Sequence, residues 1–284
     1  MARRTVGASY RQKRENLLKF SIITITYNSK TYLDETITSV LSQDGPCLEY
    51  IVVDGGSTDG TLDIIKRHAA ADDRVRWISE PDKGIADAFN KGIGMATGDV
   101  VGILNSDDSY APGALQAVAE SAAAHPECDV FHGDMLRFQG DIPLFLLKPS
   151  DVAKNIWHEM PLNHPATFVT ARAYRRVGGF DTSFRVAMDY DLLLRIYTTK
   201  GTFHYIERVL ANMRYGGESD TRYLAGLKEV FRAAVRQGYA RPKACFWFCF
   251  KAVLISVKNT LRRLGLFSII RLHPKFHRVG GNAR

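Results

Sequence analysis

From Phe20 onward the chain alternates short runs of β-branched residues with stretches whose apolar positions recur every three or four residues. Ser21–Thr26 (SIITIT) predicts a first, buried strand, and Leu33, Ile37, Val40 and Leu41 share one helical face. Glu49–Val53 predicts a second strand, and Thr61–His68 a helix after the turn at Asp59-Gly60. Val75–Ile78, Ile85–Met95 and Asp99–Leu104 continue as strand, helix and strand. Ala114–Ala124 is Ala-rich and helical, and Asp129–His132 predicts a further strand. The pattern loosens across Pro143, Pro149, Pro161 and Pro165 and returns as a helix at Met188–Tyr197. Such alternation predicts an α/β fold with a mostly parallel central sheet covered by helices.

The 284 residues are 45% hydrophobic and 24% charged, enough apolar surface for a core and too much for disorder over most of the length. The net charge of +8 is unevenly placed. Residues 1–19 carry six Lys and Arg against Glu15, and residues 222–284 carry fourteen against Glu229. The stretch between holds 18 basic and 28 acidic residues. Three parts follow: a basic N-terminal segment (1–19), an α/β body (20–221) and a helical basic tail (222–284). An acidic body does not suit nucleic-acid binding, whose basic face lies on the folded domain. Basic ends suit an anionic surface.

Within the tail, Ala244–Val257 (ACFWFCFKAVLISV) is strongly apolar and flanked by Arg241, Lys243, Lys258, Arg262 and Arg263. As a helix at ~1.5 Å per residue it reaches roughly 21 Å, short of the ~30 Å hydrocarbon core. It reads as a helix lying in a membrane interface, or as one docked on the body or on a second copy of the chain. Docking on a second copy would make the protein a homo-oligomer. No apolar stretch with a small-residue cleavage site follows the basic start. Four cysteines without a CxxC pair point to a reducing compartment, and Cys245 and Cys249 read as packing residues. The expected location is cytoplasmic, peripheral on the inner face of the plasma (inner) membrane.

Ligands of parallel sheets sit beyond the carboxyl ends of the strands. The first strand runs into Thr26-Tyr27-Asn28 and the second into Asp54-Gly55-Gly56-Ser57-Thr58-Asp59-Gly60. The third leads to Glu80-Pro81-Asp82-Lys83-Gly84 and the fourth to Asn105-Ser106-Asp107-Asp108. Turn chemistry explains such residues at one loop, but not carboxylates on neighbouring strand ends. Adjacent Asp107 and Asp108 repel each other unless a cation or hydrogen-bond donors offset them. Hard oxygen ligands suit Mg2+ or Mn2+, with phosphate oxygens and water completing the shell. The alternative is a solvated Asp-Asp turn capping the next helix. A GxxxxGK[ST] loop, a correctly placed GxGxxG and a GxSxG elbow are all missing, which disfavours hydride transfer and α/β-hydrolase chemistry.

Thr24-Ile25-Thr26-Tyr27-Asn28, Ile51-Val52-Val53-Asp54-Gly55-Gly56-Ser57-Thr58-Asp59-Gly60-Thr61, Asp82-Lys83-Gly84 and Leu104-Asn105-Ser106-Asp107-Asp108 occur in that order. Together they resemble the family 2 glycosyltransferases of GT-A fold, over roughly residues 20–215. The resemblance implies an inverting, metal-dependent transfer of sugar from a nucleoside-diphosphate sugar, most often UDP-linked. The acceptor would be a hydroxyl of a glycan or lipid-linked molecule in surface polysaccharide or lipopolysaccharide assembly. Residues 20–110 would form the nucleotide-binding part and 111–221 the acceptor side. Thr26, Tyr27 and Asn28 would line the nucleotide pocket, and Asp54 would contact the base. Ser57, Asp82, Lys83 and Asn105 would complete the nucleotide site. Asp107 would serve ribose and, with Asp108, hold Mn2+ or Mg2+. Asn105 stands where many relatives have the first Asp of a D-x-D-D run.

Further on, Gly178-Gly179-Phe180-Asp181 and Ala187-Met188-Asp189-Tyr190-Asp191-Leu192-Leu193-Leu194-Arg195 resemble the acceptor-side region, where a Glu-Asp pair supplies the general base. Met188 takes the Glu position and Asp189 the Asp position. A sugar hydroxyl is a weak nucleophile, and a carboxylate within reach can take its proton during attack. Asp189 and Asp191 are thus the catalytic candidates, with helix N-terminal capping as the alternative role. His164 would face the acceptor. A sugar-nucleotide pyrophosphorylase would need a Gly-rich, basic loop where this chain has Tyr27-Asn28-Ser29-Lys30. A noncatalytic membrane-adaptor or sugar-nucleotide-binding protein would leave the ordered motifs as coincidence.

Overall fold

The structure is a computed structural model that describes residues 18–44, 47–140, 142–215, 223–263 and 277–278. Its first half runs β1 (Lys19–Thr26), α1 (Leu33–Leu41), β2 (Cys47–Asp54), α2 (Thr61–Ala71), β3 (Val75–Ser79), α3 (Ile85–Met95) and β4 (Val100–Asn105). The second half runs β5 (Ser109–Tyr110), α4 (Ala114–Ala124), β6 (Val130–Gln139), β7 (Ile142–Leu147), α5 (Val152–Asn155), a 3-10 turn (His164–Ala166) and β8 (Thr167–Thr170). It ends with α6 (Ala171–Val177), α7 (Met188–Thr198), β9 (Phe203–Arg214), α8 (Tyr223–Arg236), α9 (Arg241–Arg263) and β10 (His277–Arg278).

The strands form one sheet in the order β10-β7-β6-β8-β4-β1-β2-β3, with β9 paired to both β6 and β5. The block β3-β2-β1-β4 is parallel throughout, as helical crossovers α1, α2 and α3 require. Beyond β4 the sheet becomes mixed: β8 is antiparallel to β4 and to β6, and β7 folds back on β6 as a hairpin. Two core clusters sandwich the sheet. In β1 the alternation sends Phe20 and Ile22 to one face and Ile23 to the other, all fully buried. The first face packs on α1, α2 and α4 through Leu33, Ile37, Ile65 and Leu115. The second packs on α3 and α7 through Phe89, Leu193 and Ile196.

The first helix of the basic tail belongs to this body, because Ala233 and Ala234 of α8 lie in the second cluster. Helix α9 rests on α8, with Ala244 buried. Cys245 and Cys249 are exposed, not packed: they sit on the outward side of α9, beside Phe246 and Phe250. Among the described residues no helix is long and apolar enough to cross a membrane. Residues 1–17 of the basic N-terminal segment lie outside the described residues.

At the amino end of the parallel block, buried Glu49 gathers the strands. It accepts hydrogen bonds from Ser21 Oγ, from Thr97 N–H and Oγ1, from Lys19 Nζ at 3.2 Å and from Arg76 Nη1 at 3.2 Å. Burial pushes this carboxyl up, but the bonds from Ser21, Thr97 and Lys19 outweigh it and hold the pKa at about 2 against an ordinary 4.5. A depressed carboxyl stabilises the fold above its unfolded value and loses that contribution as pH falls through the folded one. The stabilisation is on the order of 3 kcal/mol. Denaturant unfolding across a pH series should show stability falling between pH 4.5 and 2, and Glu49→Gln should flatten that limb while lowering stability at pH 7.

Candidate active site

Parallel pairing places Thr26 opposite Asp54 and Ile25 opposite Asn105, so three strand ends open on one edge. Asp54 is fully buried. Its carboxylate accepts from Gly56 N–H at 3.1 Å, Ser57 N–H at 3.0 Å, Ser79 Oγ at 2.6 Å and Ser57 Oγ. Asp54 therefore shapes the loop after β2, and its described partners all belong to that loop and to β3. Asn28 has a left-handed backbone (φ 50°), which Asn tolerates better than most residues. Its N–H donates to Ser57 Oγ at 2.8 Å and its Oδ1 accepts from Thr58 N–H at 2.9 Å, knitting the first two loops together.

Tyr27 is 64% exposed at the end of β1. Gly55 lies against both neighbouring loops: a Cβ there would be 2.7 Å from Asp82 Oδ2 and 3.3 Å from the Tyr27 ring. Tyr27, Gly55 and Asp82 thus converge. Asp82 Oδ1 accepts from Gly84 N–H at 2.8 Å, and Lys83 N–H donates to Asp87 at 3.0 Å, which fixes the entry to α3. Thr26 Oγ1 is buried without a hydrogen-bond partner among the described residues.

The fourth strand end holds the paired acids. Asp108 is buried: Oδ1 accepts from Arg214 N–H at 3.2 Å and Oδ2 from Asn105 Nδ2 at 3.3 Å. Burial, then the charge of Asp107, push its pKa up to about 7 against those two bonds. The Arg214 guanidinium lies over the Tyr32 ring at 3.9 Å and over the Phe138 ring at 4.6 Å, and bonds Glu35 at 2.8 Å. Asp107 is half-buried beside it. Among the described residues no three His, Cys, Asp or Glu side chains come together to cage a metal ion. The half-buried Asp107 carboxylate is a hard oxygen donor of the kind that Mg2+ or Mn2+ takes when phosphate oxygens and water supply the remaining ligands.

In the second half of the chain, Asp189 sits in the first turn of α7, with Oδ2 3.9 Å from His164 Nδ1. Both line a cavity of about 20 Å³, room for one water, walled by Ile103, Met160, Phe180 and Leu193. His164 packs on Phe89, and its Nε2 is buried without a partner among the described residues. Burial pushes the imidazole pKa down, with the Asp189 charge opposing, so His164 is neutral at neutral pH. Asp191 lies apart from this cavity. It is buried and bonds Arg195 Nε at 2.8 Å, while Arg195 also donates to the carbonyls of Val177 and Gly179. The two halves meet at Asn90 of α3, which exchanges bonds of 2.9 and 2.8 Å with the Phe180 backbone.

Residues 21–178 match the family model described as glycosyl transferase family 2, more than half of the chain, and the chain belongs to that family. It is 31% identical over 214 residues to a PGL/p-HBAD biosynthesis glycosyltransferase of Mycobacterium bovis, covering 71% of this chain and 79% of that protein. It is 29% identical over 208 residues to chondroitin synthase of Escherichia coli, covering 70% of this chain but only 29% of that enzyme's length. Its fold resembles S. aureus TarS 1-349 in complex with UDP-GlcNAc, with a TM-score of 0.64, 21% identity and 81% and 70% of the two chains covered. It also resembles the mannosyltransferase PcManGT of Pyrobaculum calidifontis in complex with GDP-Man and Mn2+, with a TM-score of 0.63, 18% identity and 95% and 88% covered.

Sequence reasoning missed Glu229, which lies beyond the matched residues. Its carboxylate accepts from the N–H groups of Arg185 at 3.0 Å, Val186 at 2.8 Å and Ala187 at 2.8 Å, capping the approach to α7 from another helix. The available signal was its isolation as the one acid in residues 222–284. Glu229→Ala strands three backbone donors in the segment leading into α7 and should cost on the order of 1–2 kcal/mol in denaturant unfolding. Glu229→Gln, which keeps one acceptor oxygen, should cost less.

Proposed function

We propose that this member of glycosyl transferase family 2 moves a sugar from a UDP-sugar onto a hydroxyl of a glycan or lipid-linked acceptor, with inversion, in cell-surface glycan synthesis. The observation that carries the reading is the pairing of two sites through one helix. Tyr27, Gly55 and Asp82 converge at the amino end of α3, and Asn90 of the same helix binds the Phe180 backbone beside the Asp189 cavity. The UDP-GlcNAc carried by the TarS neighbour supports the choice of nucleotide.

In this reading the uracil and ribose lie against the loops after β1, β2 and β3. Tyr27 and Asn28 provide the wall, Asp54 and Ser57 hold the loop in shape, and Asp82 and Lys83 close the far side. Asn105 and Asp107 reach the ribose and diphosphate, and Asp107 would hold a Mn2+ or Mg2+ ion, with Asp108 behind it. When bound, such an ion neutralises charge that builds on the departing diphosphate. Asp189 takes the proton of the acceptor hydroxyl as its oxygen bonds to the anomeric carbon and the bond to the diphosphate oxygen breaks on the opposite face. One displacement inverts that carbon. Neutral His164 orients the acceptor next to Asp189, and Asp191 acts on the position of α7 through Arg195.

Thermal unfolding with UDP or GDP, each with and without Mn2+, tests the donor site. UDP with Mn2+ should stabilise the wild type, and Asp107→Ala should abolish that shift. Release of UDP from a UDP-sugar in the presence of acceptor should fall about 10²- to 10⁴-fold in Asp189→Asn while the UDP-induced shift persists. Full activity in Asp189→Asn would overturn the base assignment.

A further inference from the structure

Helix α9 has two different faces. Its inner face is docked: Ala244 is buried, Trp247 stacks on His158 with ring centroids 3.9 Å apart, and Phe248 meets Phe231 at 5.9 Å. Lys251 Nζ donates to Glu159 at 2.8 Å. Its outer face carries Phe246, Phe250, Val253, Leu254 and Val257, between 46% and 62% exposed. The spacing of 4, 3, 1 and 3 residues makes them one stripe along three turns. Scattered exposed apolar residues are ordinary, but a continuous stripe of large ones needs a partner.

Charge selects the partner. Residues 241–263 contain Arg241, Lys243, Lys251, Lys258, Arg262 and Arg263 and no Asp or Glu. A second copy of the chain would bring the same positive charge against itself. A sheet of anionic headgroups over acyl chains complements both the charge and the stripe. Among the described residues no helix is long and apolar enough to cross a membrane. We propose that α9 seats the protein on an anionic lipid surface, lying in the headgroup region with Phe246, Phe250 and Leu254 inserted.

This goes beyond the transferase reading and stands without it, yet the two share a segment. His158 and Glu159 hold the inner face of α9, and Met160, the next residue, lines the cavity of His164 and Asp189. A surface that seats α9 therefore lies one short segment from the acceptor side.

Co-sedimentation of the full chain with vesicles tests the proposal. The wild type should bind phosphatidylcholine vesicles containing phosphatidylglycerol and should not bind phosphatidylcholine alone, and added salt should weaken the binding. The triple variant Phe246→Ser, Phe250→Ser, Leu254→Ser alters only exposed side chains. It should keep the wild-type thermal transition and bind the anionic vesicles at least about tenfold more weakly. Equal binding by variant and wild type, or equal binding to neutral vesicles, would overturn the proposal. So would a wild-type dimer, unaffected by vesicles, that the triple variant fails to form.

Discussion

Everything at the site depends on β1 having a parallel neighbour on each side. Parallel register puts the carboxyl ends of β1, β2 and β4 at one edge, with Thr26 across from Asp54 and Ile25 across from Asn105. An antiparallel neighbour would have carried its loop to the opposite edge. The arrangement is available because β1 is apolar on both faces, which lets helices cover it twice. Its cost is a cluster of loops rich in backbone groups that no ladder satisfies. Asp54 and Asn28 answer that cost with side-chain oxygens that accept from the N–H groups of Gly56, Ser57 and Thr58.

The same convergence creates an electrostatic problem at β4. Burial, and then the charge of Asp107 beside it, push the Asp108 carboxyl up to about 7. The Asn at position 105 makes sense in these terms. A third acid there would add repulsion, whereas the Asn105 amide donates to Asp108. Arg214 contributes its backbone N–H, while its guanidinium is held between Tyr32 and Phe138 and tied to Glu35.

The parallel block was legible in the sequence because each of its strands is a short, nearly continuous apolar run bounded by turn residues. The acids at the strand ends followed from that assignment. The second half was not legible, for a local reason. Strand β6 extends to Gln139, well past His132, but Gly133 and Asp134 interrupt its hydrophobic pattern and the pairing with β9 shifts register there. Strand β9 inherits those irregularities, so its exposed and buried positions do not alternate. A Cβ at Gly133 would lie 2.7 Å from the Arg208 carbonyl oxygen, a constraint no periodicity reveals. Glu229 escaped for a different reason: the groups it caps lie more than forty residues away in the chain.

Asp191 is the last link in a run of contacts that starts at the turn holding Asp82. Helix α3 runs about 16 Å at 1.5 Å per residue, from the turn that holds Asp82 towards Asn90 and beyond. Asn90 grips the Phe180 backbone, and Gly179 permits this because a Cβ there would overlap the Asn90 side chain. Arg195 then ties the carbonyls of Val177 and Gly179 to Asp191, within the first turn of the helix that presents Asp189. The turn holding Asp82, α3, the Gly178-Gly179-Phe180 segment and α7 therefore form one continuous chain of direct bonds. A buried ion pair at its last link is a poor source of net stability, yet removing one partner leaves an uncompensated charge in the core. Its effect is geometric: by tying the first turn of α7 to the carbonyls of Val177 and Gly179, it fixes where Asp189 stands relative to the strand ends.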